Sequence, residues 1–250
     1  MGVLEFKSKG TTYLHELETH QTKRKIELPV KSLNAVFVET GGIHPTSVRH
    51  LETLLNKKEK IWEGIAEKNV EARTTEIVKT AKKNGTEIWI GDIKPTKKEN
   101  IHSGIIDTAA ILARAVAGGV LGGSAAAGVC GLCSPNLIFG LWLARKGNAN
   151  KRKISRRITT LAEGLNPATT IRDAVMANKI RKLSELTGHN KIGILTGAGH
   201  VGMADILEKE KPLTEKQRSK ISARGPDALK MFRCIYDKAQ GKWRVEEHSL

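Results

Sequence analysis

Lys191-Ile192-Gly193-Ile194-Leu195-Thr196-Gly197-Ala198-Gly199-His200-Val201-Gly202-Met203 is an apolar, β-branched run that stops at glycines set around one histidine. Such a run reads as a buried strand. Its end delivers an imidazole to the carboxyl edge of a sheet, where glycines let the backbone turn and let a ligand approach. A histidine so placed suits metal binding or proton transfer near neutral pH. The bland alternative is a solvated loop histidine after a core strand.

Two other runs have the same form. Ala35-Val36-Phe37-Val38-Glu39 ends on a carboxylate and is broken by Thr40-Gly41-Gly42, and Glu87-Ile88-Trp89-Ile90-Gly91-Asp92 leads into glycine and an acid. Between them Val48, Leu51, Leu54, Leu55 and Ile61 predict a helix over 46–60. A second helix is predicted over 70–83, closed by Lys82-Lys83-Asn84-Gly85. Thr11–His15 reads as a short strand, and residues 16–27 as charged and only loosely helical. A helix starting at Asn166 or Thr169 carries a stripe of Val175, Ile180, Leu183 and Leu186 and ends at Gly188. Met203–Lys209 continues as a helix, and Met231–Asp237 with Lys242–Glu246 around Gln240-Gly241 predicts a β-hairpin. The expected fold is one α/β domain over 1–250, with a mixed, mostly parallel central sheet and helical crossovers.

Residues 104–144 interrupt that rhythm. Ala115–Ala144 holds no charged side chain and is rich in Gly and Ala. It is long enough to cross a bilayer, for which about 20 residues suffice. The basic cluster that follows (Arg145, Lys146, Lys151, Arg152, Lys153, Arg156 and Arg157) would fit the cytoplasmic flank of such a span. The opposing reading is an apolar helical insertion packed over the sheet.

The 250 residues carry a formal charge of +16, with 39% hydrophobic and only 4% aromatic residues. The charge suggests an anionic partner, such as an acidic membrane surface. Scarce aromatics and the lack of a recognisable motif argue against nucleic acid. Cys130 and Cys133 form a lone C-x-x-C without the further ligands zinc requires, so they read as small buried residues. With Cys234 the cysteine count is odd, which favours a reducing compartment. The N-terminus is charged at once and shows no secretory signal, so the expected location is the cytoplasm or the inner face of the membrane.

Four predicted strand ends thus offer reactive groups: His15 with Glu16, Glu39, Asp92 and His200. Brought together they suit a divalent metal (Mn, Co or Zn) with an open position, or a His/Glu pair that activates water without metal. His20, His44 and His50 compete for the same role.

The order of these pieces resembles the TraB/PrgY/GumN family, related to the Tiki proteases and more distantly to erythromycin esterase-like and ChaN-like proteins. Gly10-Thr11-Thr12-Tyr13-Leu14-His15-Glu16 is similar to the family's first motif, and Val36–Glu39 to its strand ending in glutamate. Ile90-Gly91-Asp92-Ile93-Lys94-Pro95 is similar to its Gly-Asp-Arg-Pro segment, with Ile93 in place of the arginine. Arg172-Asp173-Ala174-Val175-Met176 before Gly197-Ala198-Gly199-His200 carries the likeness furthest.

The resemblance implies a metal-dependent peptidase or hydrolase acting on a peptide or small molecule, or a membrane-associated regulator of the pheromone-shutdown kind. It makes His15 and His200 metal ligands or catalytic imidazoles, and Glu39 a ligand or general base. Asp92 becomes a supporting carboxylate. Glu16, Gly197 and Gly199 fall on the substrate side, and Arg172 either holds a substrate carboxylate or pairs with Asp173.

Overall fold

The computed structural model describes residues 3–18, 26–40, 47–61, 68–93, 96–97, 167–197, 200 and 202–250. The chain divides into two compact units, Met1 with 95–171 and 2–94 with 172–250, and the second unit holds the sheet. The apolar insertion 104–144, the basic cluster 145–157, Cys130, Cys133, His20 and His44 all lie outside the described residues.

Among the described residues, seven strands form one sheet: β1 (Val3–Ser8), β2 (Thr11–Glu18), β3 (Ala35–Val38), β4 (Glu87–Ile90), β5 (Lys191–Gly197), β6 (Lys230–Asp237) and β7 (Lys242–Ser249). Their order is β1-β2-β5-β3-β4-β6-β7. The four central strands run parallel, β2 with β5, β5 with β3 and β3 with β4. β1, β6 and β7 are added antiparallel at the two sides. The fold is therefore the expected mixed α/β one, with the predicted C-terminal hairpin at one edge.

Side chains alternate across the sheet. On one face Val36, Val38, Ile88, Ile90 and Leu195 meet Leu51 and Leu55 of α1 (Val48–Lys58) and Ile77, Val78 and Ala81 of α2 (Lys68–Asn84). On the other, Phe37, Trp89, Ile192 and Ile194 meet Met176, Ile180 and Leu183 of α3 (Pro167–Thr187) and Met203 and Leu207 of α4 (Gly202–Glu208). α5 (Glu215–Ser222) leads toward the hairpin and begins with a capping box, Thr214 against Gln217. Gly85 and Gly188 end α2 and α3 with positive φ, as their positions predict.

Three expectations need correction. β1 was not foreseen. β2 continues through Glu18, so residues 16–18 are strand rather than loose helix. Leu186 is 53% exposed and leaves the α3 stripe, whose buried line instead runs through Met176, Lys179, Ile180 and Leu183. Among the described residues no helix is long and apolar enough to cross a membrane.

Candidate functional site

Parallel strands place their carboxyl ends along one rim, and β3, β4 and β5 are neighbours there. The register sets levels across the face covered by α3. His15, Ile194, Phe37 and Trp89 form one row. Val38 pairs with Leu195 and Ile90, and the same register continued by one residue brings Thr196, Glu39 and Gly91 to the next row, at the rim. Arg172 and Asp173, in the first turns of α3, reach this rim.

At this rim five charged side chains join. Arg172 Nη2 donates to Glu39 Oε1 at 2.5 Å and to Asp92 Oδ2 at 2.7 Å, and its Nε donates to Asp92 Oδ1 at 3.0 Å. Glu39 Oε2 accepts the Gly197 backbone N–H at 2.6 Å. His200 Nε2 lies 3.0 Å from Glu39 Oε1, and His200 Nδ1 bonds Asp173 Oδ1. The imidazole is thus held between two carboxylates, one of which is shared with a guanidinium. All five are largely or fully buried.

Burial alone would strip His200 of its charge. The Glu39 and Asp173 carboxylates outweigh it and raise its pKa to about 10. Burial alone would likewise raise Glu39, but the imidazolium, Arg172 and the Gly197 N–H hold it well below the usual carboxylate range. Asp173 goes the other way, because burial pushes its carboxyl up more than His200 pulls it down. At neutral pH His200 is therefore an imidazolium that donates from both nitrogens.

The structure brings Glu39, Asp92, Arg172, Gly197 and His200 together. Asp173 was expected only as a partner of Arg172. It pairs with His200 instead, and Arg172 takes Asp92 and Glu39. The sequence signal for this was the adjacency of Arg172 and Asp173 on one helix above a strand-end histidine. His15 is not at a strand end. It sits within β2, one row below the rim, with Nε2 2.7 Å from Thr196 Oγ1. Glu16 points to the opposite face, where its Oε2 accepts the Glu27 and Leu28 N–H groups at 2.9 and 2.8 Å and fixes that turn. It is not part of the rim. His50 lies on α1, in the layer on that same opposite face, and Gly199 lies outside the described residues.

Two polar atoms near the rim have no hydrogen-bond partner among the described residues: Thr40 Oγ1 and Lys179 Nζ, both on fully buried residues. Neither residue was marked by motif reasoning. Lys179 was legible all the same, as a lysine at a core position of the α3 stripe.

The donor set fits a divalent metal poorly as arranged. The face of Glu39 that would meet a cation is already met by the Arg172 guanidinium, and the two His200 nitrogens already face the Glu39 and Asp173 carboxylates. Among the described residues no group of three His, Cys, Asp or Glu is disposed to hold one ion.

Comparison with protein families, curated proteins and solved structures found no match to this chain.

Proposed function

We propose that this rim is the active site of a hydrolase for peptides or small amides and esters, in which His200 is the proton donor and Glu39 the proton acceptor. The observation that carries this is the clamp of His200 between Asp173 and Glu39. In the resting arrangement Glu39 is too weak a base and His200 too weak an acid for work at pH 7. One exchange changes both. A substrate carbonyl that takes the place of Glu39 at His200 Nε2 removes the charge that does most to raise the His200 pKa. The same move removes the charge that does most to lower that of Glu39. Both groups then shift toward neutrality together. His200 polarises the carbonyl and protonates the leaving group, while Glu39, still oriented by Arg172 and Gly197, takes the proton of the attacking water. The family resemblance, carried by short motifs that include these same residues, implies a hydrolase too, but a metal-dependent one. No step is routed through a metal.

A second reading follows from the same pairings: with Arg172 and His200 already engaged by carboxylates, the cluster locks the rim and does no chemistry. One experiment separates the two. Purified protein is assayed on peptide and ester panels at pH 7–8, with EDTA and with added Mn²⁺, beside Glu39→Gln and His200→Ala. The first reading predicts turnover that persists in EDTA and falls about 10²–10⁴-fold in either variant. Turnover that is indifferent to both substitutions, or that requires Mn²⁺, contradicts it. Loss of stability with no turnover in any form supports the second.

A further inference from the structure

Lys179 is fully buried on α3, seven residues after Arg172. That separation is about 10 Å along the axis. Helix side chains lean toward the N-terminus, so its stem climbs back toward the rim. The packing agrees. A Cβ built on Gly91 would fall 2.9 Å from Lys179 Cδ and 3.2 Å from Phe37 Cε2, so the missing side chain at 91 is the room the lysine occupies. The glycine of Gly91-Asp92 admits the lysine, and the aspartate after it is the charged group that acts on Lys179. Nζ itself has no hydrogen-bond partner among the described residues. A methionine would fill such an apolar bed at lower cost than an amine.

The charges of the cluster give the amine a purpose. Three acids, Glu39 after β3, Asp92 after β4 and Asp173 on α3, face two cations, Arg172 on α3 and His200 after β5. Counted as ionised, the acids outnumber the cations by one, although burial makes Asp173 hard to ionise; Lys179 is a further basic side chain beside Asp92, and His15 lies one row below the rim. We propose that Lys179 is a positioning residue for this cluster: its buried amine stores and releases the one proton that sets the net charge against which Glu39 and His200 are held. Burial lowers the lysine pKa to about 7, against a smaller opposing pull from Asp92, which puts that exchange near neutrality. Protonated Lys179 competes with Arg172 for Asp92. Arg172 then leans on Glu39, and the grip of Glu39 on His200 Nε2 loosens. The inference concerns the same cluster but does not require it to be catalytic, so either can fail without the other.

The test uses the whole chain and no substrate. Lysine labelled with ¹³C at Cε is followed by NMR from pH 6 to 10 in the wild type. One lysine should titrate near 7 while the rest titrate above 9. The His200 ring N–H signals should move with the same midpoint, and that movement should vanish in Lys179→Met. Urea unfolding supplies a second reading. The unfolded lysine binds a proton below about 10.4 and the folded one only below about 7. Wild type should therefore gain stability relative to Lys179→Met as pH rises through that window, by about tenfold in the folding equilibrium per pH unit. The proposal is overturned if every lysine titrates above 9, if the His200 signals ignore the lysine midpoint, or if the two stability curves run parallel.

Discussion

Arg172 is the residue on which the rim turns. It joins Asp92 to Glu39 with three hydrogen bonds, and without it Asp92 would lose its guanidinium and Glu39 would keep only His200 and the Gly197 N–H. Removing one partner of a buried ion pair costs about 3–5 kcal/mol because the other is left uncompensated. Arg172→Met should lower stability by that amount in urea unfolding, and Arg172→Lys should recover little, since a single ammonium cannot reproduce the planar fork that serves both acids. A loss below about 1 kcal/mol in Arg172→Met would mean that the bridge is not formed. The sequence marked this arginine but not its partners. Adjacency suggested Asp173, whereas helix geometry sends neighbouring side chains in different directions, one to β3 and β4 and the other to His200. Lys179 was hidden for a related reason: a lysine attracts notice as surface charge, and only its place in the 176, 179, 180, 183 line shows it buried.

At the scale of elements, the edge formed by β7 is covered by side chains of α1. Asn56 Nδ2 donates to the Trp243 carbonyl at 3.1 Å and Asn56 Oδ1 accepts the Trp243 N–H at 2.7 Å. Glu52 Oε1 accepts the Val245 N–H at 3.1 Å. These bonds occupy groups that would otherwise offer a template for another strand. Asn56→Ala should cost about 1–3 kcal/mol, the penalty for stranding such groups, and should raise the concentration-dependent association seen by light scattering. A variant with unchanged association and unchanged stability would show that this edge needs no cover. β3, β4 and β5 were legible because central parallel strands are apolar on both faces. β1 was not, because an edge strand alternates, here Leu4 and Phe6 against Glu5 and Lys7. Its turn was also readable in retrospect: Lys9 and Gly10 both take positive φ, as a two-residue hairpin loop requires.

Over the whole molecule, the buried charges make stability depend on pH with opposite signs. Glu39 has a depressed folded pKa, so its contribution is present above its unfolded value near 4.3 and is lost as pH falls through and below it. The stability gap between wild type and Glu39→Gln in urea should therefore be widest near pH 7 and narrow steadily as pH falls below about 4; a gap that does not change would contradict the pairing. His200 behaves inversely. Its contribution is complete below about 6.5 and is lost as pH rises through about 10. The fold class was readable from three apolar runs and their intervening helices. The site was readable only as a set of strand ends, because register, which puts Thr196, Glu39 and Gly91 level and His15 one row lower, is fixed by pairing between distant segments.

The clamp on His200 can be measured directly by ¹⁵N and ¹H NMR of the histidine rings across pH 5–11. The arrangement described here predicts one ring that keeps both N–H protons, shifted downfield, until about pH 10. If His200 instead titrates near 6.5, as a solvated histidine does, Asp173 and Glu39 do not hold it, and the proposed site falls.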